Sequence, residues 1–221
     1  MEFIDIPTEQ TTAATDALLA LIALGAFFVV RRAGREKDRW KTTIWVWAWA
    51  LLFVASALGA VAHGFKMSQQ TNDLLWQPLN LALGLTIAMF VVGVVHDAWG
   101  ETASRRVLVP MIVVGVAFFV VTRLIPGSFL VFVLYEAVAM LFALVVYTVL
   151  AAQKHLVGAW WMAAGILVTI VAAGIQASGA VQVTVVWEFD HNGIFHIVQM
   201  VGVALLVTGL RKAFQAQRAE Q

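Results

Sequence analysis

The sequence predicts an all-α membrane protein, a seven-transmembrane-helix bundle with its N-terminus outside and its C-terminus cytoplasmic, and three observations carry that expectation. Of 221 residues, 62% are hydrophobic and only 12% charged, with a mean hydropathy of +0.88, far more apolar than a soluble domain of this size. The apolar residues fall into runs of roughly 18 to 23, enough to cross about 30 Å of hydrocarbon at 1.5 Å per residue. Twelve of the fourteen Arg and Lys fall in alternate connections or ends of those runs, the bias that the positive-inside rule describes.

Each run is read as a helix because backbone groups in lipid must be satisfied within the segment. The first, 12–30, follows MEFIDIPTEQ, which has acids and no basic flank, so it reads as a retained helix rather than a cleaved signal. The second covers 43–64. The third, 74–95, and fourth, 107–121, carry Pro78 and Pro110 in their expected first turns, where the missing N–H is not needed. The fifth, sixth and seventh cover 129–151, 157–180 and 192–210. Short connections and the absence of repeats give one domain, 1–221.

Of fourteen Lys and Arg, twelve follow the first, third, fifth and seventh runs, among them Lys41, Arg105, Lys154 and Arg211. Only Lys66 and Arg123 lie on the other side, which sets the orientation and makes the chain a multi-pass protein of the cytoplasmic (plasma) membrane. All nine Trp fall near expected helix ends, as an aromatic belt. A net charge of +1 gives no sign of a nucleic-acid partner. Zero cysteines exclude disulfides, thiolate ligands and a thiol nucleophile.

Polar side chains within a bilayer are costly unless they face the bundle interior, so each is a candidate functional group. Here they collect at the outer helix ends: Glu9 and Asp16, His63, Asp73 with Gln77 and Asn80, Glu136, Gln176, and His191, Asn192, His196 and Gln199. Glu9, Thr12 and Asp16 share one helical face, as do Asn192, His196 and Gln199. The inner halves read as almost wholly apolar, with His96 and His155 as solvated interfacial residues. The amides also have a plain structural reading as interhelical hydrogen-bond partners, worth about 0.6 kcal/mol each. His63 with His196 reads either as a shared ligand or proton site or as packing.

The segments EQTTAATD, AVAHGF, TND and HNGIFHIVQ resemble the superfamily of alkaline ceramidases, progestin and adipoQ receptors and Per1-like proteins, often called CREST, across the whole seven-helix layout. The resemblance implies zinc held by three His, matched here to His63, His196 and the displaced His191. It also implies an assisting Asp, matched to Asp73, and hydrolysis of a lipid amide or ester. Three departures stand out: the family's Ser falls on Gly59, its Asp falls one residue early at Asp73, and its first helix-seven His falls on Asn192. Using His191 instead would require an irregular start to that helix, because one residue rotates the side chain by about 100°.

Zinc-bound water would attack the carbonyl while Asp73 moves the proton. The alternative is a non-catalytic binder of membrane lipid or another small molecule, receptor-like or accessory, with Glu9, Glu136, Asn192 and His196 as its pocket. A bis-His haem at His63 and His196, or at His96 and His155, is a third reading. Retinal is excluded because 192–210 contains no Lys for a Schiff base. A proton-coupled transporter using Asp16, Glu136 and His63 lacks an obvious polar path through the inner half.

Overall fold

The computed structural model describes residues 2–125 and 129–219, which are almost entirely helical. Among them, six helices are long and apolar enough to cross a membrane. These are α1 (Pro7–Gly34), α2 (Arg39–Gly64), α3 (Gln69–Leu124), α4 (Phe129–Ala152), α5 (Ala159–Ser178) and α6 (His191–Ala219). Between α5 and α6 lies an antiparallel pair of two-residue strands, β1 (Val183–Thr184) and β2 (Glu188–Phe189), with Val183 opposite Phe189.

Local chemistry starts the helices. Pro7 occupies the first turn of α1, Asp38 caps α2 by accepting the Lys41 amide at 2.8 Å, and Ser68 caps α3 by accepting the Thr71 amide at 3.2 Å. The Ser68 cap starts the third helix five residues earlier than expected. It places Pro78 inside α3, as Pro110 also is, so neither proline sits in a first turn.

The expected third and fourth helices are joined as α3, whose 56 residues are interrupted by non-helical backbone at Gly100 (φ 83°, ψ −176°). That combination is open essentially to glycine alone. The segments on either side, 69–99 and 101–124, double back on each other. A Cβ on Gly84 would lie 2.6 Å from the Gly115 carbonyl oxygen, and Phe118 packs on the same spot. Small residues permit this close backbone approach, which is how helices gain packing where lipid supplies no hydrophobic drive. Gly165 and Gly202 do the same between α5 and α6.

The outer rim is tied by backbone. Phe3 bridges Phe65, with ring centroids 5.0 Å apart, and the Ile4 amide donates to the Gly64 carbonyl at 3.1 Å. Val109 and Val138 are exposed along the shaft, as residues facing hydrocarbon should be.

The half of the bundle read from the sequence as inner and apolar holds a charged cluster. Lys41 Nζ lies 2.5 Å from Asp97 Oδ1, both side chains being at most 2% exposed, and Tyr147 donates to Asp97 Oδ2 at 2.8 Å. His96 Nε2 sits 3.3 Å from Asp38 Oδ2, so His96 is buried against a carboxylate rather than solvated, whereas His155 is exposed as expected. This cluster joins α2, α3 and α4 and accounts for a lysine that reads in sequence as part of a basic loop. Trp45 and Trp49 are likewise buried, not belt residues, while Trp99, Trp160 and Trp187 are exposed.

Candidate functional site

Helix α1 presents three polar side chains to two different neighbours, because the spacing of Glu9, Thr12 and Asp16 spreads them along one stripe. Glu9 Oε2 meets His63 Nδ1 of α2 at 2.6 Å. Asp16 Oδ1 lies 3.2 Å from His196 Nε2 of α6, and the other nitrogen of that ring, Nδ1, is 3.0 Å from the Thr15 hydroxyl. His196 is thus held at both nitrogens by α1. Gly59 of α2 leaves room for this carboxylate, since a Cβ there would stand 2.6 Å from Asp16 Oδ2.

A second set of bonds fixes the start of α6. Asp190 accepts the Gly193 amide at 2.9 Å and the Thr12 hydroxyl at 3.0 Å through Oδ1, and the Asn192 amide at 3.3 Å through Oδ2. Gln176 of α5 donates to Asn192 Oδ1 at 3.3 Å, and the Thr11 hydroxyl donates to the Glu188 carbonyl at 2.7 Å. Partial burial raises the Asp190 pKa, but the Gly193 amide, the Thr12 hydroxyl, His191 and Asn192 together outweigh it and hold the carboxyl below its usual range.

Inside this rim runs a cavity of about 670 Å³. Asp16, His63, Glu136, Gln176, His191, Asn192, His196 and Gln199 all line it, so most of the sequence-derived candidates do converge. On α2 the lining extends from His63 to Trp45, about 27 Å along the axis at 1.5 Å per residue. The space is a long slot with apolar walls, among them Trp49, Phe90, Phe118, Met140 and Leu206.

Three candidates do not line the cavity. Asp73 is exposed and accepts from the Gln69 side chain at 2.8 Å, one turn away on the same outer face of α3. Its neighbour Asn72 points to α2 instead, donating to the Ala62 carbonyl at 3.3 Å. Gln77 is half-buried and does not line the cavity, although Asn80 does. Glu9 reaches the cavity only through His63.

Among the described residues no three of His, Asp and Glu are grouped to hold an ion, both His196 nitrogens are engaged, and α6 is helical from His191, without the irregular start a third ligand would need. Thr15 and Asp190 were missed in the sequence. Asp190 had a readable signal, an Asp directly before a helix and three residues before Gly193, whereas Thr15 looks like any small residue of an apolar helix.

Over residues 11–215 the chain matches the model of a family described as "Family of unknown function (DUF6962)", and it belongs to that family. No curated protein and no solved structure matches it.

Proposed function

We propose that this member of the family is a seven-span protein of the plasma membrane that binds a lipid-like or other small apolar molecule in an outward-facing slot without transforming it, as a receptor-like or accessory protein. The observation that carries this reading is the slot itself, about 670 Å³ and mostly apolar, within the range of small-molecule sites. Its rim groups are bonded to one another rather than aimed at a reacting centre. At about 1.5 Å per residue α3 would be about 84 Å long if straight, so its fold-back at Gly100 supports two crossings and seven in all. The charge bias of the connections supports the N-terminus outside.

The protein purified in native-lipid nanodiscs and analysed by mass spectrometry should carry a lipid or small apolar molecule in near-stoichiometric amount. Leu83→Trp, which narrows the slot, should release it. Equal retention by wild type and variant would sink the binding reading.

One observation favours a second reading, the zinc-dependent lipid hydrolase that the CREST resemblance implies. Glu9 on His63 at 2.6 Å is how a carboxylate orients an imidazole for use as a base or ligand. Metal analysis separates the two. Zinc near one per chain, lost in His63→Ala, would favour the hydrolase, and less than about a tenth of an equivalent would leave the binder.

A further inference from the structure

The rim and the middle of the slot differ in how their polar atoms are satisfied. At the rim, His63, His196, Gln176 and Asn192 all have partners within the protein. Deeper, Glu136 is 8% exposed and its Oε2 has no hydrogen-bond partner among the described residues, nor has Gln199 Oε1. Both residues line the cavity, Glu136 from α4 and Gln199 from α6.

Three lining residues of α4, Phe132, Glu136 and Met140, follow one another at four-residue spacing, which puts the carboxyl on the cavity face between a ring and a thioether. Phe132 in turn packs on Phe118, centroids 5.8 Å apart, so an aromatic pair stands one turn from the carboxyl. Ring faces and a carboxylate both attract positive charge. The described lining includes no Lys or Arg, while it includes two carboxylates, Asp16 and Glu136. Asp16 meets His196 at 3.2 Å, whereas Glu136 has no Lys, Arg or His within ion-pair distance among the described residues.

We infer that the slot takes a cationic amphiphile, its ammonium seated on Glu136 and its apolar chain running inward past Trp49 and Phe90. This rests on the binding reading above and adds the ligand's charge. A carboxylate buried without a counter-charge is costly, and a ligand that brings the charge removes that cost, whereas an anionic amphiphile would add to it. A lining that runs about 27 Å along α2 has the reach of a single extended chain.

The test is calorimetric titration of the protein in phosphatidylcholine nanodiscs at neutral pH with dodecylamine, 1-dodecanol and dodecanoate, subtracting empty discs. The amine should bind at least about tenfold more tightly than the alcohol, as a charge-assisted contact implies. Glu136→Gln should bring the amine down to the alcohol's level and leave the alcohol unchanged. Equal binding of amine and alcohol, tightest binding of dodecanoate, or an amine preference that survives Glu136→Gln would each overturn the charge assignment while leaving the slot a binding site. Failure of all three probes to bind wild type would instead remove the binding reading and this inference with it. If Glu136→Gln does not fold, the order of the three probes on wild type decides alone.

Discussion

Gly59 shows how a missing side chain can define a buried contact. The Asp16 carboxylate occupies the space its Cβ would need, and through Asp16 the position of His196 is set. Gly59→Ala should force the carboxylate off its partner and lower stability by about 1–3 kcal/mol, read as a fall in thermal midpoint in detergent; an unchanged midpoint would mean the contact is loose. The inner ion pair makes a sharper case. Lys41→Met leaves Asp97 buried without its cation and should cost about 3–5 kcal/mol, whereas Lys41→Met with Asp97→Leu should recover most of that loss. A double variant as unstable as the single one would show that the lysine stem, not its charge, is what matters. At the rim, Asp190 has a folded-state pKa below its unfolded value. Its contribution is therefore fully present above the unfolded pKa near 3.9 and lost as pH falls through the lower folded value. Hydrogen exchange at Gly193 should stay slow down to about pH 4 and quicken only below it; quickening already at pH 6 would contradict the shift.

Among the elements, α3 departs most from what its sequence suggests. Apolar run length revealed the helices, because spanning distance and rise per residue leave little choice of length. It did not reveal their ends in 69–124, where Ser68 caps earlier than the hydrophobic run begins and helix runs on through Asp97, Ala98 and Trp99 to Gly100, the residue that turns the chain, and resumes at Glu101. Pro78 and Pro110 look like helix starts in the sequence but are interior, because bundle neighbours make an interior proline tolerable in a membrane helix. Gly100→Ala should introduce backbone strain of about 1–3 kcal/mol at the turn and loosen Gly84 from Gly115, seen as faster exchange or proteolysis near 100. Full stability with alanine would imply that this backbone angle is not held in the protein. The strand pair at 183–189 had no signal beyond the alternation in VTVVWEF, too short to separate from loop.

For the molecule as a whole, the absence of cysteine makes topology directly measurable. Single cysteines at Thr184 and Asp73 should react with an impermeant maleimide from outside, and those at Glu36 and Glu101 only after the membrane is opened; any exchange between these groups would refute the seven-span reading. The convergence of polar groups from α1, α2, α4, α5 and α6 was legible because intramembrane polar residues have few places to go. The pairing was not. Sequence placed Glu9 and Asp16 together and His63 beside His196, whereas each carboxylate of α1 takes one histidine from a different helix. The inner cluster was also hidden, since Lys41 lies in a basic stretch and Asp97 and Tyr147 are isolated within apolar runs. Depth pairing between distant helices is not encoded in any local spacing.

That cluster has a consequence for traffic. Lys41 lies one turn below Trp45, the deepest lining residue of α2, with Asp97 and Tyr147 locked onto it. Along α2 the lining therefore ends one turn short of that cluster. On the proposed orientation the buried pair stands between the slot and the cytoplasmic end, so a guest crossing there would have to part Lys41 from Asp97, as suits a gauge rather than a conduit.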